Sequence, residues 1–200
     1  ILSLAEGIAL TNYQFLKYFA DAKKRLNSLK TIEVTHDNLD KFDIGELNNV
    51  LSAVSEVRTL VNEPQNFLTA TQLSEEIKRI GDESGFNVEV FKKKKIESLK
   101  MGGLLAVNRG SIEPPTFTIM EWKPENALNE NPYILVGKGV VYDTGGLSLK
   151  PTPNSLDIMK CDMGGSAMMI GAMKAIASNE LPLHVIGLIP ATDNRPGGDA

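Results

Sequence analysis

The sequence predicts an α/β fold with a mixed, largely parallel sheet flanked by helices. Three observations predict it. The apolar run PYILVGKG at residues 132–139 is followed by the small, Met-rich run GGSAMMIGAMKAIA at 164–177 and by a second apolar run, LHVIGLIP, at 183–190. Strand, tightly packed helix and strand in that order make a βαβ unit, whose strands run parallel. Upstream, FNVEVF at 86–91 alternates in the manner of a half-buried strand, and TFTIMEW at 116–122 is a further strand candidate.

Taken in order, the apolar residues between Leu2 and Phe19 recur at near-helical spacing, and TIEVT at 31–35 reads as a strand. Together they resemble the tail of a preceding domain. From about Ile44 to Val61, Leu47, Val50, Leu51, Val54, Val57 and Leu60 fall on one helical stripe, and Pro64 forbids continuation. Thr69, with Gln72 three positions on, is a capping box for a helix through Leu73, Ile77 and Ile80 that stops near Gly85. The run 132–139 is continuously apolar, which predicts burial on both faces. Lys92 to Lys95 read as a solvated turn or strand edge, where charge discourages edge pairing.

Composition narrows the function classes. With 42% hydrophobic and 23% charged residues the 200-residue chain is a globular protein with material for one good core, or a domain plus a fragment. A net charge of −4 argues against a general affinity for nucleic acid. Cys161 is the only cysteine, so no intramolecular disulfide forms and a cytoplasmic home is the default expectation. No apolar run approaches the roughly 18 residues that span a bilayer. The start lacks both a basic segment and an initiator Met, so Ile1 is expected not to be the natural beginning.

The chemistry concentrates in VGKGVVYDTGGLSLKPTPNSLDIMKCDMGG, residues 136–165. Lys138, Asp143, Lys150 and Asp162 are spaced too irregularly to share a helix face. They must converge through a strand end and a glycine-rich loop, as sites on α/β folds commonly do. Gly145, Gly146, Gly164 and Gly165 permit the tight turns this needs. HExxH, GxSxG and GxxxxGK[ST] are absent, so no other catalytic signature competes.

This segment closely resembles the signature of the leucyl aminopeptidase family, cytosol aminopeptidases that use two metal ions. RTLVNEPQN at 58–66, AVNRGSIEPPTF at 106–117 and LPLHVIGLIPATDNRPGGDA at 181–200 extend the resemblance. It implies that residues 1–43 are the C-terminal tail of an N-terminal domain, 44–63 a linker helix, and 64–200 the N-terminal part of a catalytic domain. The family's second motif, Asn-Thr-Asp-Ala-Glu-Gly-Arg, is expected some tens of residues further on, beyond Ala200.

The resemblance also implies roles. Asp143 bridges two divalent ions, Zn or Mn, while Asp162 binds one of them and faces the substrate's α-amino group. Lys138 is a third ligand, which it can be only as the neutral amine, so metal binding must release its proton. Lys150 stays charged and stabilises the oxyanion of the tetrahedral intermediate; Pro151 after it enforces an extended approach. Met159 lines the pocket for the substrate's N-terminal side chain. Three of five ligand side chains are thereby present, and the missing motif supplies an Asp, a Glu and an Arg that holds bicarbonate as general base. The parent is expected to be a homo-hexamer acting on peptides with apolar N-terminal residues such as Leu, the chain alone being inactive. The alternative is a non-catalytic binding or assembly protein that keeps the fold.

Overall fold

The computed structural model describes residues 1–37 and 39–198. Helix α1 spans Leu2–Thr11 and a single turn, α2, spans Ala22–Arg25. The apolar spacing predicts a helix through Phe19, but the helix ends at Thr11. Past that point the side chains of Asn12 and Gln14 bond to the backbone of Leu29, Arg25 and Asn27 in the returning chain, which fixes a non-helical path. Residues 31–35 form no strand, contrary to their alternation. No described strand lies alongside to pair with them, and an unpaired strand leaves its backbone groups to water.

Helix α3, Lys41–Asn62, carries the expected stripe and stops before Pro64. Helix α4, Ala70–Ser84, opens on Thr69, whose hydroxyl accepts from Gln72 N at 3.2 Å, and closes on Gly85 in the left-handed conformation. Only half of the capping box forms. The Gln72 amide turns outward to Glu76 instead of back to the cap.

The strands are β1 (Asn87–Lys92), β2 (Thr116–Trp122), β3 (Tyr133–Val136), β4 (Gly139–Asp143) and β5 (Val185–Asn194). Helices α5 (Lys93–Ser98) and α6 (Gly102–Val107) lie between β1 and β2, and α7 (Gly164–Ser178) connects β4 to β5. The lysine run therefore ends the edge strand at Lys92 and continues as the first turn of α5, where a turn or strand edge was expected.

The sheet is mixed. β1 pairs antiparallel with β2 and β2 antiparallel with β5, whereas β3 and β4 both run parallel to β5. Parallel pairing is thus confined to the βαβ half, while β1–β2 and β2–β5 are antiparallel. β3 and β4 behave as one strand interrupted at Lys138: Tyr133 is opposite Val185, Gly139 is opposite Ala191, and between them Gly137 N donates to Leu188 O at 3.0 Å.

Helices α4 and α7 cover one face. Leu73, Ile77, Ile80, Met120, Ile170, Met173 and Ile189 are fully buried between them and the sheet. Each such side chain stabilises the fold by roughly 1.5–3 kcal/mol. The expected two-sided burial of 132–139 fails in β3, where Tyr133, Ile134 and Val136 are 56%, 51% and 65% exposed. Among the described residues β3 has a neighbour on one side only, and α7 reaches the strand only at its end.

That end is tight. A Cβ on Gly137 would lie 2.7 Å from Ser166 Cα and 2.9 Å from Gly165 O. Only glycine lets the first turn of α7 pack there. Ser166 N then donates to Lys138 O at 3.0 Å, which fixes the backbone at the interruption. No helix among the described residues is long and apolar enough to cross a membrane.

Candidate active site

Lys138, at the interruption between β3 and β4, and Asp143, the last residue of β4, sit at the edge of the sheet formed by the βαβ unit. After Asp143 the chain turns through Gly145 and Gly146, with φ of 87° and 67°. A Cβ on Gly145 would meet Ser148 O at 2.4 Å, so this turn needs glycine twice over. The turn closes where Lys150 N donates to Thr144 O at 2.9 Å. Closure returns Lys150 to Asp143, and their side chains meet with Nζ 2.5 Å from Oδ2.

Beyond Pro151 a 3₁₀ helix, Leu156–Cys161, carries Met159 and delivers Asp162 to the start of α7. The hydroxyl of Tyr142 on β4 donates to Leu156 O at 3.2 Å, which holds this helix against the strand. Met159 Sδ accepts from Lys150 Nζ at 3.3 Å. Asp162 lies opposite Lys138, with Nζ 2.7 Å from Oδ2. This contact is an ion pair without the alignment of a hydrogen bond, so the buried Oδ2 of Asp162 accepts none. The sequence candidates thus come together as two cross-linked pairs, Lys138 with Asp162 and Lys150 with Asp143, and Met159 touches the second.

Asp143 is held more firmly than its sequence context suggested. Oδ1 accepts from Gly145 N at 3.0 Å and from Asn194 Nδ2 at 2.8 Å. Oδ2 is therefore the oxygen that faces Lys150. Burial pushes this carboxyl up, but the Lys150 ammonium, the Gly145 N–H and the Asn194 amide outweigh burial and hold it below its ordinary value of 3.8.

Two contributors were not singled out from sequence. Asn194, at the end of β5, also accepts from Thr144 N at 3.0 Å and Thr144 Oγ1 at 2.8 Å through its carbonyl, so it anchors both the carboxylate and the turn. Lys160 Nζ donates to Val61 O and Asn62 O at 3.0 Å each, which ties the 3₁₀ helix to the last carbonyls of α3. Asn194 lies 51 positions from Asp143, and only strand register brings them together. Lys160 is adjacent to Met159 in sequence, but nothing local announces a helix terminus 98 positions upstream.

Family comparisons place the chain among known proteins. The model of the cytosol aminopeptidase family, catalytic domain, matches residues 55–200, nearly three quarters of the chain. The chain belongs to the cytosol aminopeptidase family. A probable cytosol aminopeptidase of Chloroherpeton thalassium is 56% identical over 144 residues, covering 72% of this chain and 28% of that protein. One from Chlorobaculum tepidum is 42% identical over 211 aligned positions, covering 98% and 41%.

Among solved structures, the bottromycin maturation enzyme BotP in complex with Mn superposes with a TM-score of 0.87 at 33% identity, covering all of this chain and 41% of that one. Caenorhabditis elegans leucine aminopeptidase gives 0.85 at 29% identity, with 97% and 38% covered. The chain therefore spans about two fifths or less of the length of these relatives. The mixed sheet with flanking helices is the fold it shares with them.

The donor chemistry fits a divalent cation. Two carboxylates and an amine offer oxygen and nitrogen ligands, and Asp162 Oδ2 is a buried acceptor with no hydrogen bond to give up. Among the described residues no three of His, Cys, Asp and Glu gather. Among the described residues, Asp143 and Asp162 are the carboxylates that this sheet edge offers.

Proposed function

We propose that the chain is part of a metal-dependent aminopeptidase that hydrolyses the N-terminal peptide bond of peptides, with a preference for apolar residues such as Leu. The observation that supports this most is the meeting of Lys138 with Asp162 and of Lys150 with Asp143 at one sheet edge. Lysine–carboxylate pairs formed this way keep the carboxylates compensated until a metal cation would displace the Lys138 proton and join Lys150 in balancing their charge.

Lys138, Asp143 and Asp162 would hold two divalent ions, Zn or Mn, and the Mn complex of BotP supports Mn. Such ions supply Lewis acidity and an activated water. Lys138 must give up its proton to act as a ligand, and Asp162 is then free of its ion pair. Asp143 presents Oδ2, because Oδ1 is occupied by Gly145 and Asn194. Lys150, with only 27% of its side chain exposed, remains the cation that donates to the scissile carbonyl oxygen as negative charge develops there. Met159, in contact with Lys150, offers a polarizable apolar wall to the substrate's first side chain. A homo-hexameric, cytoplasmic parent, with further acidic ligands and a bicarbonate-holding Arg from a later motif, completes the proposal.

Lys150 provides the test. In the complete protein Lys150→Ala is expected to lower kcat on leucine p-nitroanilide about 10²–10³-fold, with metal content by mass spectrometry nearly unchanged. Unaltered turnover would remove Lys150 from the mechanism. Residues 1–200 alone are expected to bind metal poorly and to be inactive. Metal-dependent hydrolysis by that chain would show that its own ligands suffice.

A further inference from the structure

At the other edge of the sheet a groove of about 610 Å³ runs between α4 and β1. It lies across β2 and β5 from the candidate active site, roughly 14 Å away at three strand spacings. Val88 and Val90 of β1 form its apolar floor, and Pro114 and Pro115 close one end. Its charge is one-sided. Lys78 reaches it from α4 and Lys92, Lys93 and Lys94 from the end of β1 and the start of α5, against the single acid Glu75. None of these four lysines forms an ion pair among the described residues, in a chain whose net charge is −4.

Lysine placed only to protect a strand edge needs no apolar floor beside it. Here cations from three consecutive elements converge on one concave, apolar strip, where low-dielectric walls strengthen their field. Among the described residues β1 pairs with β2 alone, so alternate N–H and C=O groups along its six residues point away from the sheet. A strand laid against that edge would turn every second side chain to the face shared by Val88, Val90 and Lys92, which lies under α4 and Lys78, and its remaining side chains to the face of Glu89 and Phe91.

We propose that this groove takes an extended acidic peptide segment of a partner protein, added to β1 as a further strand, whose groove-facing alternate residues are apolar in the middle and acidic at the ends. Backbone pairing supplies the register, the apolar residues occupy the floor, and the carboxylates meet the uncompensated lysines. Six residues, about 20 Å, match the length of β1. A nucleic-acid strand lacks the amide groups this edge pairs with, so it fits the charge and not the floor.

The test uses fluorescence anisotropy of the complete protein with a labelled peptide containing Glu-Ser-Val-Ser-Val-Ser-Glu, whose Glu and Val side chains share one face of a strand. Saturable binding is expected, weakened about ten-fold or more by Lys92→Glu with Lys94→Glu, and abolished by N-methylation of alternate peptide amides, which blocks strand pairing. Both lysines are exposed, so the double variant keeps its fold, which circular dichroism checks. Equal affinity for the N-methylated peptide, for oligoglutamate or for single-stranded RNA of the same charge would overturn the proposal, as would no binding at 1 mM protein.

Discussion

Replacing Asn194 tests whether the site is set by strand register. Its Nδ2–H···Oδ1 bond to Asp143, at 2.8 Å, is charge-assisted, and such bonds contribute roughly 1.5–3 kcal/mol. Asp143 keeps the Gly145 N–H and the Lys150 ammonium after Asn194→Ala, so the loss belongs at the lower end, about 1.5 kcal/mol, a ten-fold change in the folding constant. The isosteric Asn194→Asp separates donation from packing. It fills the same space but sets a second carboxylate against Oδ1, with repulsion of about 4 kcal/mol at 4 Å in a partly solvated setting. The expected order of stability at pH 7 is therefore wild type, then Ala, then Asp, with Asp recovering as acid neutralises the pair. Urea unfolding followed by the fluorescence of Trp122, the only tryptophan, measures it. In the complete protein, loss of this support should weaken metal binding about 10–100-fold. An Asn194→Asp variant as stable as wild type at pH 7 would refute the reasoning, because the amide would then be a spacer and not a donor.

Three other outcomes are expected. Because Asp143 titrates below its ordinary 3.8 when folded, its pairing stabilises the protein fully above that value and is lost as pH falls through the lower folded value; urea midpoints should drop below about pH 4, and Asp143→Asn should flatten that slope. Gly171→Val should cost about 3 kcal/mol and lower Tm by roughly 6–12 °C in a thermal melt, since a Cβ there would lie 2.3 Å from Val57 Cγ2 and force α7 off α3; an unchanged Tm would mean that the two helices are not in contact. Lys160→Met should remove the bonds to the last carbonyls of α3 at a cost of about 1–2 kcal/mol, with Lys160→Arg retaining most of it; equal loss in both variants would show that length and not charge matters there.

Much of the site was legible because its residues are close in sequence. Lys138, Asp143, Lys150, Met159 and Asp162 fall within 25 positions, and the glycines between them mark where the chain must turn. Their pairing was not legible. Nothing in the spacing says that Lys150 meets Asp143 and Lys138 meets Asp162, because that depends on how the 145–150 turn closes and on where α7 begins.

The sequence by itself determined the elements with a local cause. Thr69 and Gly85 bound α4 by satisfying the helix's own terminal groups, Pro64 ended α3, and apolar runs of the right length placed β2, β5 and α7. Tertiary structure alone decided what depends on partners distant in the chain. Among the described residues, 31–35 alternate like a strand yet lack one to pair with, and β3 is apolar yet exposed. Likewise Asn194 reaches Asp143 only through the β4–β5 register. A side chain's local preference is written in its neighbours, whereas burial and pairing are fixed by which surfaces the folded chain brings together.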